Sequence, residues 1–110
     1  MLKKKDRLTK KGFDHSFSVG TRYHSPVLQL IYEDTPNFHG AAVVGKKVHK
    51  KAVDRNRLRR RLYGVLYRYQ ATHTLTGTFI LIGKPALKDV VKSEFTKKVE
   101  EVLRQVAQKQ

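Results

Sequence analysis

The residues of this chain most able to take part in chemistry form one basic run near its middle. Residues 46–61, KKVHKKAVDRNRLRRR, contain nine lysines or arginines and a single acid, Asp54. A guanidinium group can donate two hydrogen bonds to one anionic group, and lysine adds a mobile positive charge. In a chain of net charge +15, this run predicts binding of a polyanion, and nucleic acid is the partner we expect.

The same survey predicts no covalent or metal chemistry in the protein itself. The chain has no cysteine, its acids are scattered, and no glycine-rich phosphate loop occurs. Its five histidines lack the i, i+4 spacing of a zinc site. Glu33 and Asp34 are adjacent in a predicted turn, which does not make a paired-carboxylate site. The histidines are His15, His24, His39, His49 and His73.

Length and composition bound the architecture. With 110 residues and 39% apolar residues, we expect a single domain over residues 1–110 with a modest core, and a frayed start over residues 1–8. No apolar stretch approaches the ~20 residues of a membrane span. The absence of cysteine suits a reducing compartment, so we expect a cytoplasmic protein. We expect neither a membrane nor a small-molecule substrate as its partner.

Periodicity predicts three helices and at least three strands. Thr9 can cap a first helix that carries Phe13 and Phe17 on one face and ends at Gly20. Segments 27–32, 41–44 and 78–82 are rich in branched and aromatic residues and are predicted strands. A last helix is predicted from the spacing of Phe95, Val99, Val102, Leu103 and Val106. This order of elements indicates an α+β domain with helices packed on one sheet.

The middle helix is predicted to begin at Asp54 as its N-cap and to have two distinct faces. The apolar face is formed by Leu58, Leu62, Val65, Leu66 and Tyr69. The opposite face carries Arg57, Arg60, Arg61 and Arg68, with Gly64 in the same stripe. Gly64 is either a place where a nucleic-acid backbone approaches closely or a tolerated surface glycine. Residues 55–68 contain no acid, so the arginines of this face repel one another. We expect a bound polyanion to offset this repulsion.

A lysine pair, Lys46-Lys47, is followed by KAVDRNRLRR over residues 51–60, and this pattern resembles the signature of the bacterial ribonuclease P protein subunit. The resemblance extends over nearly the whole chain, including the two phenylalanines of the first helix and Lys84-Pro85 after the last strand. It implies a small two-layer α/β sandwich, with one sheet of three to four strands, three helices and a left-handed β-α-β crossover between strands 41–44 and 78–82. Right-handed crossovers predominate in proteins, so this hand comes from the resemblance alone.

The resemblance also implies a function without catalytic residues in the protein. A catalytic RNA subunit, using Mg²⁺ that it mainly binds itself, removes the 5′ leader of precursor tRNA, and the protein assists by binding both RNAs. Phe13 and Phe17 are implied to lie in a cleft that receives the single-stranded leader, with plain core packing as their open alternative. By position, the residues implied to contact the RNA subunit are Lys46, Lys47, Lys51, Arg55, Asn56, Arg57, Arg59 and Arg60. The basic run and the arginine stripe lead us to expect that Lys50, Arg61 and Arg68 also contact it.

The chain departs from the family pattern after Arg60. The family usually continues with two apolar residues followed by Arg and Glu, whereas this chain has Arg61, Leu62, Tyr63 and Gly64. Contacts with RNA at this end of the helix are therefore expected to differ from the family pattern. Two alternative functions stay open at this point: a basic structural ribosomal protein, and a protein that binds a membrane surface through its basic helix.

Overall fold

The structure, a computed structural model, describes residues 8–107. The predicted frayed start lies outside the described residues except for Leu8, which is half-buried and donates its N–H to Gly40 O at 3.1 Å. The elements along the chain are α1 (Lys10–Val19), β1 (Thr21–His24), β2 (Leu28–Glu33), β3 (His39–Val43), α2 (Ala52–His73), β4 (Thr78–Gly83), a short 3-10 helix (Pro85–Asp89) and α3 (Lys92–Ala107). No helix within this range is long and apolar enough to cross a membrane.

The strands form one mixed sheet in the order β1-β2-β4-β3. The β1–β2 and β2–β4 pairs are antiparallel, whereas β3 runs parallel to β4. Because β3 and β4 are parallel neighbours, the chain must cross over between them, and α2 makes this crossover. The predicted α+β fold with three helices and a β-α-β crossover is confirmed, and the left hand of the crossover stays a prediction.

Strand β1 is the strand that the sequence pattern did not predict. Its residues are TRYH, of which only Tyr23 is partly buried. Since β1 is an edge strand, hydrogen-bonded on one side to β2, its side chains carry no apolar alternation.

The predicted N-cap of the middle helix is wrong. Helix α2 begins at Ala52, with Lys51 at the N-cap and no side-chain capping bond, and Asp54 lies in the first turn. A carboxylate in the first turn also interacts favourably with the positive end of the helix dipole. An acid near the helix start is therefore favourable at either position, and periodicity alone did not separate the two.

The main core lies between one face of the sheet and the helices α2 and α3. Leu28 and Leu30 of β2 and Phe79 and Leu81 of β4 are fully buried there. All ten apolar residues predicted to face the core from α2 and α3 are buried, as expected from their helical spacing. Burial of these two stripes against a common sheet face is the main stabilising term of the fold.

Helix α1 packs on the opposite face of the sheet, where a smaller cluster contains Ile31, Ala41 and Ile80. Polar contacts to Glu33 of β2 hold the helix in place: Ser16 Oγ donates to Oε1 at 2.6 Å, and His15 Nε2 lies 3.0 Å from Oε2. Because α1 is short, it adds only a partial layer to the two-layer sandwich.

Both ends of α1 are set by single residues. The Thr9 side chain accepts a hydrogen bond from Gly12 N at 3.1 Å, which confirms the predicted N-cap. Gly20 ends the helix as predicted, and a Cβ atom there would lie 2.5 Å from Ile31 Cγ2 and 2.6 Å from Ser16 O. The chain therefore turns from α1 into β1 where only a glycine fits.

We expect Gly20→Ala to lower the free energy of unfolding by about 1–3 kcal/mol, because the added methyl group must displace Ile31 or the backbone of α1. Urea denaturation monitored by circular dichroism measures this change. Gly45→Ala is the matched control, since a Cβ atom at Gly45 would meet no described residue within 4 Å. Equal stabilities of the two variants would contradict the close packing of α1 on β2.

Candidate RNA interface

Lysines cluster on the loop between β3 and α2, which we call the lysine loop (residues 46–51). Its four lysines, Lys46, Lys47, Lys50 and Lys51, are all exposed. Val48 is buried in the main core and thereby anchors the loop, and its N–H donates to Gly45 O at 3.0 Å within the turn. Lys88 of the 3-10 helix lines the same shallow cavity of about 430 Å³. The fold thus adds to the predicted set a fifth lysine that lies far away in the sequence.

Arg55 connects the lysine loop to helix α2. Its Nη1 donates to His49 O at 3.0 Å and to Lys50 O at 2.7 Å, and the residue is half-buried. Two residues along a helix differ in direction by about 200°, so Arg55 and Arg57 point to different sides of α2. The structure therefore gives Arg55 a positioning role for the loop, and its predicted contact with RNA stays a prediction.

The other residues of the helix start are largely open to solvent. Arg57 Nη1 lies 3.9 Å from Asp54 Oδ1, an exposed pair that contributes little to stability. Asn56 is exposed and its Oδ1 accepts a hydrogen bond from Arg59 Nη2. Arg59 is half-buried at the edge of the helix. The predicted arginine stripe is exposed along its whole length: Arg57, Arg60, Arg61 and Arg68.

The two phenylalanines of α1 differ in their surroundings. Their rings stack at a centroid distance of 5.8 Å. Phe13 packs against the smaller core cluster, whereas Phe17 is 40% exposed. The Arg22 guanidinium lies 4.8 Å from the centre of the Phe17 ring and donates through Nη2 to Phe17 O at 3.0 Å. Phe13 therefore belongs mainly to the core, and Phe17 with Arg22 forms an open cationic and aromatic surface.

An open row of side chains crosses the sheet beside α1. The strand register places His24, Gln29, Ile82 and Val43 opposite one another, and paired residues share a face of the sheet. They are exposed or half-buried, whereas Ile31, Ile80 and Ala41 in a neighbouring row are buried with α1. Together with Phe17 and Arg22, the open row forms what we call the α1 cleft.

The residues that the structure describes include no group of three or more His, Cys, Asp or Glu side chains placed to hold a metal ion. Glu33, which has both polar contacts with α1, is engaged in fixing that helix.

Comparison with known proteins identifies the family of this chain. The Ribonuclease P family model matches residues 2–107. The chain belongs to this family. The ribonuclease P protein component of a Nitratiruptor species is 32% identical over 100 residues, covering 87% of this chain and 90% of that protein.

Solved structures of ribonuclease P proteins have the same fold. The protein from Staphylococcus aureus superposes with a TM-score of 0.74 at 18% identity, covering 92% of this chain and 94% of that one. The protein from Thermotoga maritima, in complex with 1-(4-fluorophenyl)-2-thiourea, gives a TM-score of 0.65 at 20% identity, covering 86% and 90%. At these identities the likeness establishes the fold.

Membership of the ribonuclease P protein family has direct consequences. The chain is a component of an endoribonuclease complex, and its partner is ribonuclease P RNA. The complex takes part in tRNA processing. RNA binding accounts for the basic run and for the excess of positive charge.

Arg55→Ala is expected to lower the free energy of unfolding by about 1 kcal/mol, because two loop carbonyls lose a charged donor that is partly open to solvent. Arg57→Ala removes the same side chain from an exposed site two residues away and should change stability by less than about 0.5 kcal/mol. Urea titration of both variants measures the difference. If Arg55→Ala is as stable as Arg57→Ala, the positioning role is wrong.

Proposed function

We propose that this protein assists the RNA-catalysed removal of the 5′ leader from precursor tRNA by binding both RNAs. The lysine loop and the arginine stripe of α2 would contact the RNA subunit, and the α1 cleft would receive the single-stranded leader. The chemistry would come from the RNA subunit and the Mg²⁺ that it mainly binds.

One observation carries the proposal: the α1 cleft and the lysine loop adjoin each other. Val43 belongs to the open row of the cleft, and Lys46 begins the lysine loop three residues later. Three residues span at most about 10 Å, so a leader bound in the cleft would lie next to the lysines that are proposed to contact the RNA subunit. The cleft supports leader binding because exposed aromatic and cationic groups stack on unpaired bases with little sequence preference.

Reconstitution tests the function. The purified protein should raise the rate at which a bacterial ribonuclease P RNA cleaves precursor tRNA at moderate Mg²⁺. Arg57→Ala and Arg60→Ala should each weaken binding to that RNA and lower the slope of log affinity against log salt by about one unit. An unchanged cleavage rate, with co-sedimentation of the protein on ribosomes, would favour a structural ribosomal protein instead.

Phe17→Ala is expected to weaken the binding of precursor tRNA to the reconstituted complex by about 1–3 kcal/mol, the typical contribution of one stacked base. Binding of mature tRNA, which lacks the leader, should not change. Because Phe17 is 40% exposed and belongs to neither core cluster, its truncation should leave the fold intact.

The matched control for Phe17 is Val91→Ala, which truncates another exposed apolar side chain away from the cleft. Equilibrium binding of labelled precursor and mature tRNA compares the two variants. If Phe17→Ala weakens the binding of both RNAs equally, the leader does not bind in the α1 cleft.

A further inference from the structure

A groove between α2 and α3 gathers positive charge from two helices that are distant in sequence. We call it the arginine groove; its volume is about 410 Å³. It is lined by the arginine stripe of α2, which comprises Arg57, Arg60, Arg61 and Arg68, and by Lys92, the first residue of α3. On its inner side lie Val65 and Phe95, which are buried in the main core.

The charge in the groove is almost uncompensated. Among residues 8–107, no acidic residue lines it. Of its five cations, only Arg57 forms an ion pair within residues 8–107, the long contact to Asp54 at 3.9 Å. Arginines three and four residues apart on one helix repel one another. The positive end of the α3 dipole also lies at Lys92, which adds to the attraction for an anion.

Gly64 lies in the groove, and nothing in the part of the chain that the structure describes requires a glycine there. A Cβ atom at this position would meet only Arg68 Nη1, at 3.7 Å, which is an ordinary contact. Its backbone is helical and outside the left-handed region, unlike Gly77 with a φ of 106°. Glycine weakens a helix relative to alanine. The bare backbone at Gly64 therefore points to a ligand that comes close to α2.

The shape of the groove favours a phosphate backbone over a single small anion. Arg57 and Arg68 are separated by about 16 Å along α2, which is long enough for several successive phosphates. Each arginine can hold one phosphate with two hydrogen bonds. The arginine stripe is already proposed to contact the RNA subunit. We propose in addition that the contacted sugar-phosphate segment runs in the groove between α2 and α3, with Gly64 at the point of closest approach and Lys92 as a further contact from α3.

The position of the groove decides between the two RNAs of the proposed function, on which this inference rests. The groove lies between the helices that cover one face of the sheet, whereas α1 and its cleft lie on the other face. A leader bound in the α1 cleft is therefore separated from the groove by the sheet. The RNA subunit, which the arginine stripe is proposed to contact, is the occupant.

Substitutions at Gly64 separate binding from folding. Gly64→Ala should raise the urea midpoint, because alanine favours the helix. It should nevertheless bind the RNA subunit more weakly, and Gly64→Gln should weaken binding by about tenfold or more. Ala71→Gln is the matched control, since Ala71 is an exposed residue of the same helix outside the groove. This control should bind as the unsubstituted protein does.

The proposed contact of Lys92 with a phosphate is tested by removing the charge of its side chain. Lys92→Gln should lower the slope of log affinity against log salt by about 0.7–0.9 for one lost phosphate contact, so between 50 and 200 mM salt its affinity should fall about threefold less than that of the unsubstituted protein. Lys97→Gln, the control, removes the same charge from an exposed site on α3 outside the groove and should leave the slope unchanged.

The outcomes are distinguishable. Unchanged binding by both Gly64 variants, with equal salt slopes for the Lys92 and Lys97 variants, overturns the groove while leaving the proposed function in place. If the Gly64 and Lys92 variants bind the RNA subunit normally and weaken only the binding of precursor tRNA to the assembled complex, the assignment of the groove to the RNA subunit is wrong. If the unsubstituted protein neither binds the RNA subunit nor raises its cleavage rate, the proposed function itself has failed.

Discussion

The parallel pairing of β3 with β4 is the constraint on which the rest of the structure depends. Adjacent parallel strands cannot be joined by a tight turn, so the chain must leave the sheet and return along one of its faces. The 22 residues of α2 make this return. Their apolar stripe packs on the sheet, and this orientation turns Arg57, Arg60, Arg61 and Arg68 outward on a rigid support.

The same crossover creates the lysine loop, because the chain must turn sharply after β3 before α2 can start. Val48 anchors this turn in the core, and the hydrogen bonds of Arg55 hold its end against the helix. The lysines project from a loop that is fixed at both ends. Ordered positive charge of this kind suits a partner of defined shape better than a freely moving tail does.

The sheet separates two different surfaces. On one face, α2 and α3 bury the main core and carry the arginines outside it. On the other face, the ten residues of α1 cover only part of the sheet, so the row from His24 to Val43 stays open beside Phe17. The polar contacts of Glu33 keep α1 at this position. A basic surface and an aromatic cleft can thus act on different parts of one RNA assembly.

The sequence by itself determined the elements whose signals are local. The apolar spacing of α2 and α3, the Thr9 cap, the Gly20 stop and the exposed arginine stripe all follow from periodicity and residue type, and the structure agrees. Strand β1 has no such signal because edge strands need no apolar alternation. The prediction of Asp54 as the N-cap of α2 was wrong because acids are favourable both at the N-cap and in the first turn.

Only the tertiary structure decided which distant side chains meet. Lys88 joins the lysine loop, Lys92 joins the arginines of α2, and Arg22 lies on Phe17 because sheet pairing and helix packing bring them together. The two arginines of the Arg-Asn-Arg segment also have different surroundings in the tertiary structure. Arg55 contacts the lysine loop, whereas Arg57 is exposed to solvent. A sequence pattern records charge and spacing along one helix, whereas these contacts depend on the packing of separate elements.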